Sequence, residues 1–283
     1  MLFIDLRASA SGGIPAEQAA VWDEGSRLVT ADEFAARVRG LDVVFAAHGF
    51  NVDRGHGIQA LTSWSKRCTL PSGSLLAGVL WPGDSAFLPV LDYPAEGLEA
   101  IRSGRLLARF LDQYATGAAS LSLVSHSLGG RMVLETLSDM EKGVRRLILM
   151  AGAIEDDCLV NEYAQAARKA QQIYVLASMR DWVLEFAFPI GNPVGEIVMH
   201  GHPYFRVALG RSGPSSFDGN TRLWQIPGGW DYGHLDYMPS DDIGPLLAPP
   251  LQQPGASDAV PGNPPAVGWK PSWSAGAVST QVV

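Results

Sequence analysis

Leu121-Ser122-Leu123-Val124-Ser125-His126-Ser127-Leu128-Gly129-Gly130 changes its periodicity at Ser127. Before that residue, Leu121, Leu123 and Val124 form the short apolar run of a strand buried on both faces. After it, Leu128 begins a helical spacing that Met132, Val133, Leu134, Leu137 and Met140 continue. The residues Ser125 to Gly129 nearly match G-x-S-x-G, in which a serine stands at the apex of a tight strand-to-helix turn. Small residues are needed two before and two after the apex, because the helix folds back close to the strand. Gly129 meets that need, and Ser125 is the one departure. The helix start also aims backbone N–H groups at the turn, where a developing negative charge can be held. A plainer reading makes Ser127 an N-cap and the glycines packing space; the other segments decide between the two.

Strands and helices alternate on both sides of this turn. Short opening strands are expected over Leu2 to Leu6, Val21-Trp22 and Arg27 to Thr30. Asp42 to Ala47 reads as a buried strand ending in His48-Gly49-Phe50-Asn51, and Ile58, Leu61, Trp64 and Cys68 mark the helix after it. Leu75 to Trp81 is the next strand, and Leu98, Ile101, Leu107, Leu111 and Tyr114 lie on a long helix leading to the serine turn. Beyond it come a strand over Arg146 to Ala151, a helix over Asn161 to Ala170, and strands over Gln172 to Ala177 and Arg222 to Ile226. Such alternation implies right-handed crossovers and a mostly parallel central sheet with helices on both faces, carrying its chemistry at the carboxyl ends of the strands.

The expected organisation is one domain over residues 1–244, with an insertion or lid over the site at about 187–220, and a tail over 245–283. Eight prolines and only Asp258 and Lys270 as charges make that tail extended or disordered. A net charge of −8 with no cluster of Lys and Arg argues against nucleic acid or an anionic membrane as a partner. Cys68 and Cys158 lack any disulfide or zinc spacing and are expected to be buried apolar fillers. The apolar run in MLFIDLR is too short for a signal or an integral membrane segment, so a cytoplasmic location is expected. Oligomeric state is left open.

A serine hydroxyl needs a base, and the base needs an orienting group. His234 lies in the loop past the last strand and Asp181 just past Gln172 to Ala177, so a parallel sheet brings both to the edge that carries Ser127. Asp156 and Asp157 follow the preceding strand and are rival acids, and Asp181 has a second possible role as cap of a helix starting at Trp182. The backbone N–H groups of Leu128 and Phe50 are the candidates for an oxyanion hole. His48, Trp81 and Trp182 are candidates for the substrate pocket, with Phe50, Leu128, Phe186, Phe188 and Tyr204 as further lining candidates; His48 and His126 also suit packing or hydrogen bonding in their loops. His200 and His202 have no supporting ligands in sequence, and no metal is expected.

HGF after an early strand, SHSLGG at the turn, RDWV at the acid and GHLDY at the base make the chain resemble a serine α/β-hydrolase of the esterase/lipase type over about Leu41 to Tyr237. WPGD at Trp81 to Asp84 is similar to a poorly characterised bacterial branch of these hydrolases. The resemblance implies the α/β-hydrolase fold, a Ser127, His234, Asp181 triad, no cofactor, and a small-molecule or lipid ester as substrate. Acyl transfer or thioester cleavage on the same triad is the nearest alternative. A non-catalytic binding protein on this fold, engaging a partner through the proline-rich tail, is another.

Overall fold

The computed structural model describes residues 1–9, 14–24, 26–68, 70–83, 93–186, 188, 207–216 and 218–240. Among these residues, nine strands form one sheet: β1 (Leu2–Arg7), β2 (Pro15–Asp23), β3 (Arg27–Val29), β4 (Asp42–Ala47), β5 (Ser74–Leu80), β6 (Ser120–His126), β7 (Val144–Met150), β8 (Ala170–Ala177) and β9 (Thr221–Gln225). Their spatial order is β3-β2-β1-β5-β4-β6-β7-β8-β9. Every pairing from β1 to β9 is parallel, and β2 and β3 add antiparallel strands at one edge. This is the mostly parallel sheet that the alternation of segments predicts.

Helices α1 (Ala31–Val38), α2 (Arg54–Arg67), α3 (Tyr93–Tyr114), α4 (Gly129–Asp139) and α5 (Ala164–Lys169) connect the strands, followed by a helix over 182–186 (α6) and the short α7 (Leu209–Ser212). The central strands are apolar throughout because both faces are covered. Val43, Phe45, Leu123, Leu147 and Leu149 join Phe34 of α1, Leu107 and Leu111 of α3 and Met132 of α4 in one core. Val44, Val124, Ile148 and Met150 face the opposite way, towards Leu61 and Trp64 of α2, Leu184 of α6 and Tyr232 and Tyr237. Consecutive residues thus serve alternate cores.

The opening of the molecule differs from the sequence expectation in two respects: the strand expected at Val21-Trp22 runs from Pro15 to Asp23, and a helix follows β3. The strand expected over Arg27 to Thr30 stops at Val29, and α1, which was not foreseen, starts at Ala31. Thr30 caps that helix, accepting at Oγ1 from the Glu33 N–H at 3.2 Å, and so ends the strand. Of the expected insertion over 187–220, residues 188, 207–216 and 218–220 are described: Ala208 pairs with Glu155 and α7 follows at once. The tail over 245–283 and the residues Asp84, His200, His202 and Tyr204 lie outside the described residues.

From β4 the chain proceeds to β5 on one side and then returns to β6 on the other. The crevice beyond the carboxyl ends of β4 and β6 is therefore the switch point at which open α/β sheets bind ligands. Ser127 stands in it, at φ 54°, directly after β6. A Cβ on Gly129 would come within 2.4 Å of the His48 carbonyl oxygen, so the turn and the β4 loop are in backbone contact. Ser125 is not crowded in this way: its side chain is buried, and its hydroxyl lies 3.5 Å from the Ile148 carbonyl. The small residue is required after the serine, and two positions before it a hydroxymethyl group fits.

Gly129→Ala is expected to cost roughly 1–3 kcal/mol of stability by forcing the two loops apart, whereas Ser125→Gly is expected to cost no more than about 1 kcal/mol. Urea unfolding of both variants checks this; equal losses would contradict it.

Candidate active site

Three side chains from three strand ends meet in the crevice. The Ser127 Oγ–H donates to His234 Nε2 at 2.7 Å, and the His234 Nδ1–H donates to Asp181 Oδ2 at 2.8 Å. These two bonds fix one tautomer of His234, with the hydrogen on Nδ1. Asp181 is fully buried and His234 nearly so. Asp181 Oδ1 accepts from the Leu184 N–H at 2.9 Å, so this carboxylate caps α6 with one oxygen and orients His234 with the other. The helix cap expected of Asp181 is present, and the same carboxylate bonds to His234. Of the rival acids, Asp157 accepts from Asn161 Nδ2, and the Asp156 backbone is tied to Val207 and Ser215. Neither reaches His234.

The turn at Ser127 is held by its backbone. Its N–H donates to the Met150 carbonyl, and its carbonyl accepts from Gly130 and Ala153. A left-handed conformation costs a residue with a Cβ about 1–3 kcal/mol, and this turn holds it with three hydrogen bonds. Leu128 is buried beside Ser127, and Phe50 is half-buried in the facing β4 loop. Among the described residues no acceptor takes the N–H of either one. Gly49 lets the two segments approach: a Cβ there would come within 3.0 Å of the Ser127 Cβ and 2.9 Å of His126 Nδ1. The Leu128 and Phe50 N–H groups, left without a partner among the described residues, belong to the two segments that Gly49 brings together.

The three candidate pocket residues part company. His48 and Trp81 are buried and bonded to each other: Trp81 Nε1–H donates to the His48 carbonyl at 2.8 Å and the Trp81 N–H to His48 Nε2 at 3.3 Å. These two bonds tie the β4 loop to the residue after β5, and the His48 Nδ1–H donates within the loop to the Gly49 carbonyl at 2.8 Å. Trp182 is 60% exposed, stacked on Phe186 at 5.6 Å, and Val183 and Leu235 are exposed beside it in sequence to Asp181 and His234. These exposed apolar side chains thus neighbour, in sequence, two members of the constellation.

Sequence reasoning left Ser178, Tyr232 and Tyr237 without a part in this arrangement, and gave His126 only packing or hydrogen bonding in its loop. The His126 Nε2–H donates to the backbone carbonyl of His234 at 2.7 Å, and Ser178 Oγ–H to that of Tyr232 at 2.6 Å. Tyr237 is fully buried, with its ring 6.1 Å from that of His126 and 5.8 Å from that of Tyr232. The signal for His126 was its place directly before the serine. The others have none, since a carbonyl acceptor can belong to any residue. Among the described residues no cluster of His, Cys, Asp and Glu could hold a metal ion, and no helix is long and apolar enough to cross a membrane.

A profile of the family described as "Alpha/beta hydrolase of unknown function (DUF900)" matches residues 30–238. No curated protein sequence matches the chain. Among solved structures, esterase PE8 is 17% identical, covering 73% of this chain and 89% of its own at a TM-score of 0.42. TT1662 from Thermus thermophilus is 16% identical, covering 75% and 88% at 0.44. Esterase B from Lactobacillus rhamnosis is 13% identical, covering 72% and 70% at 0.36. At such scores the likeness carries nothing about substrate.

Burial pushes His126 down to about 3 and His48 down to about 4, so both are neutral in the fold at pH 7. An unfolded chain has histidines near about 6.5 and takes up protons that the folded chain refuses. Stability should therefore fall as pH drops from about 6.5 towards 4.5, by on the order of 1 kcal/mol per pH unit for each histidine. Urea midpoints across that range check this; an unchanged midpoint between pH 6.5 and 4.5 would contradict it.

Proposed function

We propose that this chain, which belongs to the alpha/beta hydrolase family matched over residues 30–238, is a serine hydrolase that cleaves carboxylic esters through an acyl-enzyme on Ser127. The observation that carries the reading is the unbroken relay from Ser127 Oγ to His234 Nε2 and from His234 Nδ1 to the buried Asp181 carboxylate.

In this reading Ser127 Oγ attacks the ester carbonyl while His234 Nε2 takes its proton. The carbonyl oxygen becomes an oxyanion facing the Leu128 and Phe50 N–H groups. Collapse of the tetrahedral intermediate breaks the bond to the alcohol, which leaves with the proton held by His234. Water then attacks the acyl-enzyme, giving its proton to the same imidazole, and the acid departs as Ser127 recovers its hydrogen. Asp181 remains ionised and stabilises the imidazolium in each half. Its second oxygen is committed to the Leu184 N–H, so the carboxylate has one position open to it.

The apolar rim of Trp182, Val183, Phe186 and Leu235 supports an ester with an apolar acyl part. Removing apolar surface that holds such a chain weakens binding without touching the chemistry.

A fluorophosphonate probe is expected to label the wild type and to leave Ser127→Ala unlabelled at equal thermal stability; a labelled Ser127→Ala would overturn the reading. Asp181→Asn should lower kcat by about 10⁴ by favouring the wrong histidine tautomer, while Asp156→Asn and Asp157→Asn leave it within about threefold of wild type. In a panel of p-nitrophenyl esters, Trp182→Ala should raise KM by about tenfold for octanoate and leave acetate nearly unchanged. Equal changes for the two esters would remove Trp182 from the acyl site.

A further inference from the structure

The loop that carries His234 has little regular structure: one turn of 3-10 helix over Gly228–Trp230, and then irregular backbone to residue 240. Within the loop, the Gly233 N–H donates to Asp236 Oδ2 at 2.7 Å, a short turn around His234. Two side chains from outside grip its backbone on either side of the base. Ser178, just past β8, donates to the Tyr232 carbonyl, and His126, the last residue of β6, donates to the carbonyl of His234 itself. Because a carbonyl can only accept, His126 must carry its hydrogen on Nε2. Its Nδ1 edge lies against Gly49, where an added Cβ would come within 2.9 Å. The rings of His126 and His234 are 4.9 Å apart and tilted by 50°. One imidazole, adjacent in sequence to the serine, is therefore wedged between the β4 loop and the base loop.

We propose that His126 is a positioning residue for the hydrolysis: its Nε2–H anchors the backbone of His234 at a set distance from Ser127, so that nucleophile and base belong to one rigid unit. The proposal rests on the serine-hydrolase reading. Near-attack geometry makes such an anchor matter, since a displacement of about 1 Å can cost a hundredfold in rate. Burial keeps His126 neutral, which suits a neighbour of an imidazole that gains a proton in every turnover.

The test compares wild type, His126→Phe and His126→Gln. Phe keeps ring volume without a donor, whereas the Gln Nε2 can occupy the position of the imidazole Nε2 and donate to the same carbonyl. The readouts are the rate of fluorophosphonate labelling at Ser127, kcat and KM on p-nitrophenyl butyrate, and Tm. His126→Phe should lose about 10- to 100-fold in labelling rate and in kcat, with KM within about twofold, and His126→Gln should recover most of the loss at a similar Tm. A His126→Phe variant that labels as fast as wild type overturns the proposal, and so does a His126→Gln variant impaired as much as the Phe one. Should the Phe variant not fold, 15N shifts of the wild-type His126 ring decide: a protonated Nε2 at pH 7 supports the anchor and a protonated Nδ1 overturns it. A wild type inert to the probe removes the hydrolase reading together with this proposal, whereas a reactive wild type matched by His126→Phe removes the proposal alone.

Discussion

The contact between the backbone of Gly129 and the carbonyl of His48 sets the geometry on which everything at the strand ends depends. It brings the turn after β6 against the loop after β4, two strands that are neighbours in the sheet although a whole βα unit lies between them in sequence. With that approach made, Ser127 is held at a positive φ and α4 starts at the edge of the crevice. A side chain at either Gly49 or Gly129 would force the two loops apart. Packing and chemistry make the same demand on these glycines.

A single buried charge then organises the polar side of the site. An ionised carboxylate removed from water is costly unless its lone pairs are occupied. Asp181 meets that cost with the first turn of α6 at one oxygen and His234 at the other. His48 and His126, also buried, are kept neutral by that burial. In the proposed hydrolysis, the proton that His234 gains enters a site where the Asp181 carboxylate already accepts from its Nδ1–H.

Local patterns that depend on one segment were legible in the sequence; relations between segments were less so. The period change at Ser127 and the strand–helix alternation are local, and the parallel sheet followed from them. Helix α1 was equally local, since Thr30 and Glu33 have the spacing of an N-cap and its partner. It was missed because the apolar residues beside Thr30 read as a strand. The choice among Asp156, Asp157 and Asp181 could not be made locally: all three follow strand ends, and what separates them is the direction of a carboxylate set by α6. The insertion of β1 between β2 and β5 is likewise a matter of long-range pairing that no window of sequence records. Nor does a sequence mark the bonds of His126 and Ser178, whose acceptors are backbone carbonyls.

That last class of interaction explains how an irregular loop can bear a base. Side-chain acceptors would tie the loop to particular residues, whereas carbonyls at 232 and 234 let the grip survive changes in the loop's own side chains. The donors, by contrast, sit at the ends of β6 and β8, where both cores fix their backbones. Tyr237 closes the arrangement from above, packing its buried ring near those of His126 and Tyr232. Rigidity is thus taken from the sheet and lent to the loop through two hydrogen bonds. On that basis the distance from Ser127 to His234 depends more on the end of β6 than on the loop in which His234 lies.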